Sequence, residues 1–485
     1  DLLRIDVGGA LAAESGGGRS LQDVAAAQGV LKAGGALDVA RLAASGDLTV
    51  EGDAAATLED VTAGRDLDVA AGGRLSLDRV EVARAADLAS GGDAQIISLQ
   101  TSTLTAAFGG DAVLDRSVLA SDGAVRADGA LTATHLEGRA DLSLDAGEAL
   151  TTNRLIVRGD ADLSSGEAMA LSRTSVGGAL TAAADLDGSA AGAAAVLRDV
   201  TANSLDMETG GTADLNAVAV AQDLSIRALD GTLRLGTVQV TGDAVFVAES
   251  GAIRTQTGQA SSDGFSLNLP VGAEAPQGLP SSSPDGGGGS ITRTQVAGRA
   301  FDDLLAVDGD AWFDASGDVL LPGDGTLEND FDGRVTVSRG ARVALSDRND
   351  LVLGAPSRTA PGGAELPNAG IYNRVNGEEI TSLRVEVGGS LTDTASARVR
   401  VEGDAWLQAG RDVDLNSGRH DVGGSIGAQG RDVTLEMRGD VRLGPIRADR
   451  DFTVVANARG HPPDLQRHDA RADDGRRPRR RRRRR

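Results

Sequence analysis

Residues 63–77 read AGRDLDVAAGGRLSL, and this stretch decides the fold. After each glycine turn, apolar residues occupy every second position, first Leu67 and Val69 and then Leu75 and Leu77. An alternation of period two is typical of a strand with one side in a core and the other in solvent. Glycine permits either a positive φ or a bend that a Cβ would obstruct. The stretch therefore predicts two short strands, each entered through a glycine corner.

The same phrase recurs along most of the chain, for example at residues 46–50, 138–144, 231–235, 410–415 and 430–435. Its glycines are regularly spaced, since Gly73, Gly92, Gly110, Gly129 and Gly147 lie 19, 18, 19 and 18 residues apart. A unit of this length buries little apolar surface alone, so neighbouring units must stack. We therefore predict an all-β fold, a right-handed parallel β-helix (solenoid) of about 18–20 residues per coil. Its predicted core includes Leu67, Val69, Leu75, Leu77, Leu142 and Leu144.

The repeated phrase is missing from two segments, and these segments divide the chain. Residues 261–295 contain four prolines and the run Gly286–Gly289, and residues 354–382 contain three prolines, so both are predicted as loops or joints. The phrase resumes after each of them, which favours lateral excursions over linkers between unrelated domains. The predicted plan is β-helix at 1–260, a loop or joint at 261–295, β-helix at 296–353, a loop excursion at 354–382, β-helix at 383–457 and a disordered basic tail at 458–485.

The tail ends in an unbroken run from Arg479 to Arg485. Blocks of like charge often bind nucleic acid or membranes. Arg and Pro in bulk also arise when GC-rich sequence is translated out of frame, and this second interpretation is favoured. Under either interpretation the alternation is lost, and the sequence predicts disorder.

Composition excludes several classes of protein. The formal net charge is −23, and cysteine is absent, which excludes disulfides, thiol catalysis and Cys-ligated zinc. An acidic body repels nucleic acid and anionic membranes, and no stretch approaches the roughly 18 apolar residues of a membrane span. We therefore predict no nucleic-acid partner and no membrane insertion. Residues 1–9 lack the basic-then-apolar order of a signal peptide, so an export signal is expected upstream.

Phrases such as residues 63–73 and 409–415 resemble the repeats of filamentous haemagglutinins, and the resemblance covers most of residues 1–457. Members of that family are large exoproteins of two-partner secretion systems that fold as right-handed β-helices outside the cell. Some are adhesins, and others are stalks of contact-dependent inhibition toxins. The resemblance implies a secreted, cell-surface virulence protein that an outer-membrane secretion pore exports. Similar repeats occur in autotransporter passengers, so the export route stays open, as do the receptor and any toxin domain of the parent protein.

The rival interpretation is a glycan-active enzyme, because parallel β-helices also carry polysaccharide lyases and hydrolases. Such an enzyme needs converging carboxylates or a base beside a metal. His135 and His420 lie in different repeats, and the calcium-binding nonapeptide does not recur. We predict no catalytic, cofactor-binding or metal-binding residues. Many aspartates directly follow a corner glycine, where the side chain caps a turn or points to solvent, namely Asp47, Asp53, Asp111, Asp160, Asp243, Asp310, Asp404 and Asp440.

The two tryptophans stand in equivalent places of one phrase, GDAWF at residues 309–313 and GDAWL at residues 403–407. In related phrases this place also accepts aspartate, which indicates a position outside the core. Because alternate residues share a face, Trp312 and Trp406 are expected on the lateral surface. There they either cover aliphatic neighbours in adjacent coils or contact a glycan or protein partner. The same alternation predicts that the flanking residues enter the core, namely Ala311, Phe313, Ala405 and Leu407.

These observations together predict a structural and adhesive stalk of a secreted bacterial surface exoprotein rather than an enzyme. Its binding surfaces would face host cells, other bacteria or glycans, with Trp312 and Trp406 as candidate surface contacts. The alternative is a glycan-active β-helix lyase or hydrolase.

Overall fold

The computed structural model describes residues 2–187, 194–256, 295–296, 299–300, 304–323, 328–355, 370–372 and 379–457. Every regular element within these ranges is a β-strand, and the strands stack in about 20 turns. The predicted all-β fold of stacked parallel strands is therefore confirmed as a β-solenoid. Residues 261–294 of the predicted loop or joint at 261–295, most of the excursion at 354–382 and the tail at 458–485 lie outside the described residues.

The strands of the first section are β1 (Leu2–Ser15), β2 (Arg19–Ala33), β3 (Leu37–Ala44), β4 (Leu48–Gly52), β5 (Ala56–Ala63), β6 (Leu67–Ala71), β7 (Leu75–Val82), β8 (Ala85–Ser90), β9 (Ala94–Thr101), β10 (Thr103–Phe108), β11 (Ala112–Asp115), β12 (Val118–Leu119), β13 (Gly123–Ala127), β14 (Leu131–Gly138), β15 (Leu142–Ala146), β16 (Leu150–Val157), β17 (Ala161–Ser165), β18 (Met169–Val176), β19 (Ala179–Ala184), β20 (Ala194–Ala202), β21 (Ser204–Thr209), β22 (Thr212–Val220), β23 (Leu224–Ala228), β24 (Leu233–Leu235), β25 (Val238–Val240), β26 (Ala244–Ala248) and β27 (Ile253–Thr255).

The remaining strands are β28 (Gln295–Val296), β29 (Arg299–Ala300), β30 (Leu305–Val307), β31 (Ala311–Ala315), β32 (Val319–Leu321), β33 (Asp330–Phe331), β34 (Arg334–Arg339), β35 (Arg342–Asp347), β36 (Leu351–Leu353), β37 (Gly370–Ile371), β38 (Ser382–Val387), β39 (Leu391–Asp393), β40 (Arg398–Val401), β41 (Asp404–Ala409), β42 (Val413–Val422), β43 (Ser425–Gly430), β44 (Val433–Arg438), β45 (Arg442–Ala448) and β46 (Phe452–Asn457).

A typical coil of the first section consists of one long and one short strand. Long β5 is followed by short β6, and the next coil repeats the pair as β7 and β8. Leu67 pairs with Ala86, so equivalent residues lie 19 positions apart, within the predicted spacing. Later coils are longer, since Ala311 pairs with Val335 at a distance of 24 residues. Because the pairing is parallel, each residue stacks on its equivalent in the next coil and forms a column along the rod.

The alternation of the repeated phrase puts one side of every strand into a continuous core. All six residues predicted for it, from Leu67 to Leu144, are at most 2% exposed, which confirms the predicted register. The core consists mainly of Leu, Val and Ala. Three phenylalanines form an aromatic cluster within it: Phe246 stacks on Phe313 with ring centroids 5.3 Å apart, and Phe331 meets Phe313 edge-on at 6.0 Å.

In the coils up to β22, the chain bends at a corner residue in the left-handed region, with φ between 50° and 62°. This left-handed corner recurs every 18 or 19 residues up to Arg173, and none of its residues is glycine. Most residues other than Gly and Asn avoid this conformation, because it brings Cβ too close to the following carbonyl oxygen. Each such corner therefore costs conformational energy. Where Arg follows Asp at the corner, the two side chains pair, as Arg41 does with Asp23 at 2.5 Å and Arg79 does with Asp60. The corner residues are Arg4, Asp23, Arg41, Asp60, Arg79, Ser98, Arg116, His135, Arg154, Arg173, Asp199 and Ala217.

The glycine corners have a different physical cause from a positive φ. Among the described glycines, only Gly370, Gly418 and Gly439 have a positive φ. A Cβ added to Gly64 would lie 2.2 Å from the carbonyl oxygen of Ser45 in the preceding coil. The sequence left two roles open for glycine, a positive φ or a close approach of backbone. The structure shows close approach at the glycine corners, whereas the positive φ is found at the left-handed corner.

The stack continues across both interruptions of the pattern. Ala244 pairs directly with Ala311, and Leu351 with Leu391, in the same parallel arrangement as elsewhere. At the start of the section predicted from residue 296, β28 and β29 form an antiparallel pair, with β28 beside β20 and β22, and the parallel coils resume at β30. Within the predicted excursion at 354–382, β37 belongs to the stack and pairs with β34 and β40.

Candidate functional site

The corner aspartates, which would be the catalytic carboxylates of an enzyme, bind the backbone of the next coil. Asp160 accepts a hydrogen bond from the backbone N–H of Ala179 at 2.8 Å, and Asp404 accepts one from Ser425 at 2.7 Å. The bond satisfies a donor at a turn, as expected for a capping aspartate. Asp53 and Asp440 make no such side-chain bond in the described part of the chain. The others that make it are Asp47, Asp111, Asp243 and Asp310.

The Gly-Arg-Asp version of the phrase adds an ion pair to this bond. Arg431 donates from Nε and Nη2 to the two carboxylate oxygens of Asp412, at 2.9 and 2.5 Å. Arg450 makes the same pair with Asp432. The hydrogen bonds from Arg431 and Arg450 lower the pKa of Asp412 and Asp432. The repeated motif is therefore accounted for by contacts between coils, and both oxygens of each carboxylate are engaged by an arginine.

One buried cluster contains the three residue types of a hydrolase triad, namely Ser417, His420 and Asp393. Nε2 of His420 lies 2.9 Å from Asp393 and 3.1 Å from Ser417, while Nδ1 accepts a hydrogen bond from the backbone N–H of Val399 at 3.0 Å. In a catalytic triad the serine and the carboxylate contact opposite ring nitrogens. Here both contact one nitrogen, and Ser417 donates its proton to the carbonyl of Ala397 at 2.8 Å. The arrangement fixes the chain at this point rather than activating a nucleophile.

The electrostatics of this cluster agree with a structural role. Burial alone would raise the pKa of Asp393, but hydrogen bonds from His420, the backbone of Asn416 and Ser417 together lower it. The His420 and Asp393 side chains are at most 1% exposed, so substrate has no path to them in the described structure. His135, the other described histidine, lies in β14 at the left-handed corner. Among the described residues, no group of three His, Asp or Glu side chains is arranged to hold a metal ion.

Asp347, at the end of β35, has a strongly perturbed carboxyl group. Burial raises its pKa to about 7, although the backbone N–H groups of Phe331 and Asn349 donate to it. Asp330 and Asp332 lie near enough to raise the pKa further. The residue is 4% exposed and both its carboxyl oxygens are engaged by backbone, so its contacts are those of a turn. The sequence does not single out Asp347, because the residues before it alternate as they do at any other strand end.

The tryptophans lie on the lateral surface, and their flanking residues Ala311, Phe313, Ala405 and Leu407 enter the core, each at most 4% exposed. The two indoles do not share a face of the rod. Trp312 follows Val245 and precedes Thr336 in its column, whereas Trp406 stands between Arg384 and Gly427 in another column. Equivalence within the phrase therefore does not extend to position on the rod.

The surroundings of the two tryptophans differ. Val245 and Thr336 face outward on either side of Trp312, yet they are only 6% and 1% exposed, so this part of the surface is covered. Trp406 lies over Gly427, where an added Cβ would come within 2.6 Å of Cε3 of the indole. Its other neighbour, Arg384, is exposed. We therefore take the surface formed by Trp406, Arg384, Gln408, Gly427 and Gln429 as the candidate site and call it the Trp406 surface.

A groove of about 340 Å³ lies elsewhere, beside the end of β19. Three of the polar side chains in its wall contact one another. Asp145 accepts a hydrogen bond from Ser164 at 2.6 Å and lies 3.8 Å from Arg126. Asp145 and Ser164 are therefore engaged within the groove, whereas no hydrogen bond is formed by the side chain of Gln408 or Gln429 within the described part of the Trp406 surface.

Comparison with known proteins adds one match. A family model described as repeats of unknown function (DUF5649) matches residues 340–429, a segment that contains Trp406 and the buried His420 cluster. We found no significant match among curated proteins or among solved structures. In the described part of the chain, no helix is long and apolar enough to cross a membrane.

Proposed function

We propose that this chain is a structural and adhesive stalk of a secreted bacterial surface exoprotein. Its lateral faces present binding surfaces to host cells, other bacteria or glycans. The observation that carries the proposal is the use of the repeated polar residues. The corner aspartates and the Gly-Arg-Asp ion pairs bind successive coils to one another. The repeated polar residues therefore stabilise the rod.

A rod of this kind suits display at a distance from a cell. Each coil adds about 4.8 Å, so about 20 turns extend roughly 100 Å. The resemblance of the repeats to filamentous haemagglutinins supports secretion through an outer-membrane pore and a location at the bacterial surface. Adhesion then takes place on the outward columns, whose side chains the fold leaves free to vary.

The test is adhesion by the purified full chain. Beads coated with it should bind cultured epithelial cells or bacterial cells above the level of beads coated with albumin, another acidic protein. Binding at the albumin level to every cell type would overturn the adhesive role. The same preparation should release no reducing ends or unsaturated products from polysaccharides. Turnover that one carboxylate substitution abolishes would replace the proposal by a glycan-active enzyme.

A further inference from the structure

We propose that the Trp406 surface binds a neutral glycan, with one hexose ring stacked on the exposed face of the indole. The inference rests on the proposed adhesive function and narrows it to one face of the rod and one class of partner.

The first observation is how the indole of Trp406 packs on the neighbouring strand. Gly427 occupies the outward position next to Trp406 in the following coil. A Cβ there would lie 2.6 Å from Cε3 and 2.8 Å from Cζ3, so the six-membered ring lies where any larger residue would have its side chain. The ring therefore extends over the neighbouring strand instead of projecting away from the sheet. This leaves Trp406 half-buried, with apolar ring surface still in contact with solvent.

Free amide groups beside the ring are the second observation. Gln408 follows Trp406 by two residues on the same face and pairs with Gln429 in the next coil. Two residues of a strand span roughly 6.6 Å, about the width of a sugar ring. Both side chains are half-exposed and make no hydrogen bond within the described structure. Primary amides offer both donors and acceptors, which is what the hydroxyl groups of a sugar require.

The charge around the site selects a neutral partner. Arg384, the nearest cation in the column of Trp406, donates from Nε to Glu386 at 2.9 Å, so its charge is already compensated. The whole chain carries a formal charge of −23, which repels polyanions. Arg447, which pairs with Gln429 in the following coil, lies 4.0 Å from Asp449. A flat aromatic ring with flanking amides, beside which each arginine has an acidic partner, fits neutral hexoses better than sialylated or sulfated ones. Aromatic residues with few placed polar groups are the usual composition of small-ligand sites.

The chain offers a matched control in its other tryptophan. Trp312 has the same place in the phrase, but its outward neighbours Val245 and Thr336 are buried. Because the chain contains two tryptophans, the Trp312→Phe variant leaves Trp406 as the sole indole, and its fluorescence then reports on this site alone.

The experiment starts with the full chain on an array of immobilised neutral oligosaccharides of glucose, galactose, mannose and their N-acetyl derivatives, with sialylated and sulfated glycans beside them. The strongest neutral binder is then titrated into the Trp312→Phe variant with fluorescence detection. We expect a saturable change in emission. Trp406→Ala should weaken array binding roughly tenfold or more, and Trp406→Phe should retain part of it. Gly427→Val, which displaces the ring, should weaken binding with the indole still present.

Three results would overturn the proposal: no neutral oligosaccharide binds, only sialylated or sulfated glycans bind, or Trp406→Ala binds as well as the wild type. Unchanged circular dichroism and melting temperature in Trp406→Phe guard against misfolding as the cause of lost binding. The cell-adhesion assay separates the two proposals. Adhesion that persists in Trp406→Ala removes this site and leaves the stalk function, whereas absent adhesion by the wild type removes the function itself.

Discussion

At the scale of single residues, a corner glycine is required by the carbonyl group of the preceding coil. Coils are separated by one strand spacing, about 4.8 Å, so a Cβ directed along the rod meets backbone. Gly64 and Gly72 both face such an oxygen at 2.2 Å from an ideal Cβ. The corner is therefore specified by contact between coils, and the torsion angles of the turn do not by themselves demand glycine.

We accordingly expect Gly64→Ala to lower the free energy of unfolding by about 2 kcal/mol, because the added methyl group overpacks a rigid backbone contact. Gly16→Ala is the matched control, since nothing lies within 4 Å of its ideal Cβ. The control should change stability by less than about 0.5 kcal/mol. Urea unfolding followed by circular dichroism measures both. Equal stability of the two variants would contradict the close-approach explanation.

Asp347 gives the stability of the rod a dependence on pH. Its pKa is about 7 in the folded chain, against about 3.9 in an unfolded one. The folded state therefore binds the proton more tightly. Its contribution to stability is fully present below about pH 4, falls as pH rises to 7 and stays lost above that.

The difference between the wild type and Asp347→Asn isolates this contribution, because the other carboxylates are common to both. The asparagine of the variant cannot ionise, so the stability of the variant relative to the wild type should rise between pH 4 and pH 7 by up to about 4 kcal/mol. Urea midpoints at several pH values measure it. A difference that does not change with pH would show that Asp347 titrates normally.

At the scale of elements, the buried cluster at β39 and β42 joins two strands of neighbouring coils. Asp393 accepts the backbone N–H groups of Asn416 and Ser417 in addition to His420. Removing the histidine leaves a buried carboxylate without its main side-chain partner. Truncation of one partner of a buried pair is costly, whereas loss of one neutral hydroxyl costs far less.

We therefore expect His420→Phe to destabilise the chain by about 3 kcal/mol or more and Ser417→Ala by about 1 kcal/mol. Thermal melts of both variants provide the measurement. A catalytic triad makes the opposite prediction: Ser417→Ala would abolish a hydrolytic activity of the wild type while leaving the melting temperature unchanged.

The strands themselves were largely predictable, because an alternation of period two determines which positions of a strand are buried and which are exposed. The six core residues from Leu67 to Leu144 were identified in this way. The left-handed corner was not, since it accepts Arg79, Ser98 and Ala217 alike and shares no residue type. The faces of Trp312 and Trp406 were not predictable either. A local phrase determines which side of a strand is buried, but longer coils between the two copies determine which face of the rod the strand joins.

At the scale of the whole molecule, each coil contacts only its neighbours, so stability is a sum of coil and interface terms. Leu142 pairs with Gly123 on one side and with Ala161 on the other. Deleting residues 142–160 removes one coil of 19 residues and lets Ala161 take the place of Leu142. Asp141 then occupies the place of Asp160 and can accept the N–H of Ala179. Every column is preserved.

The shorter deletion of residues 142–151 removes fewer contacts but should do far more damage. It places Thr152 and Arg154 at the core positions of Leu142 and Leu144, so a guanidinium enters a core where it finds no partner. We expect the 19-residue deletion to keep the strand signal in circular dichroism and a melting temperature close to that of the full chain, and the ten-residue deletion to unfold locally and become sensitive to protease. Equal damage from both would mean that the coils are not interchangeable, whereas a tolerated whole-coil deletion would show that register, more than length, determines the stability of the rod.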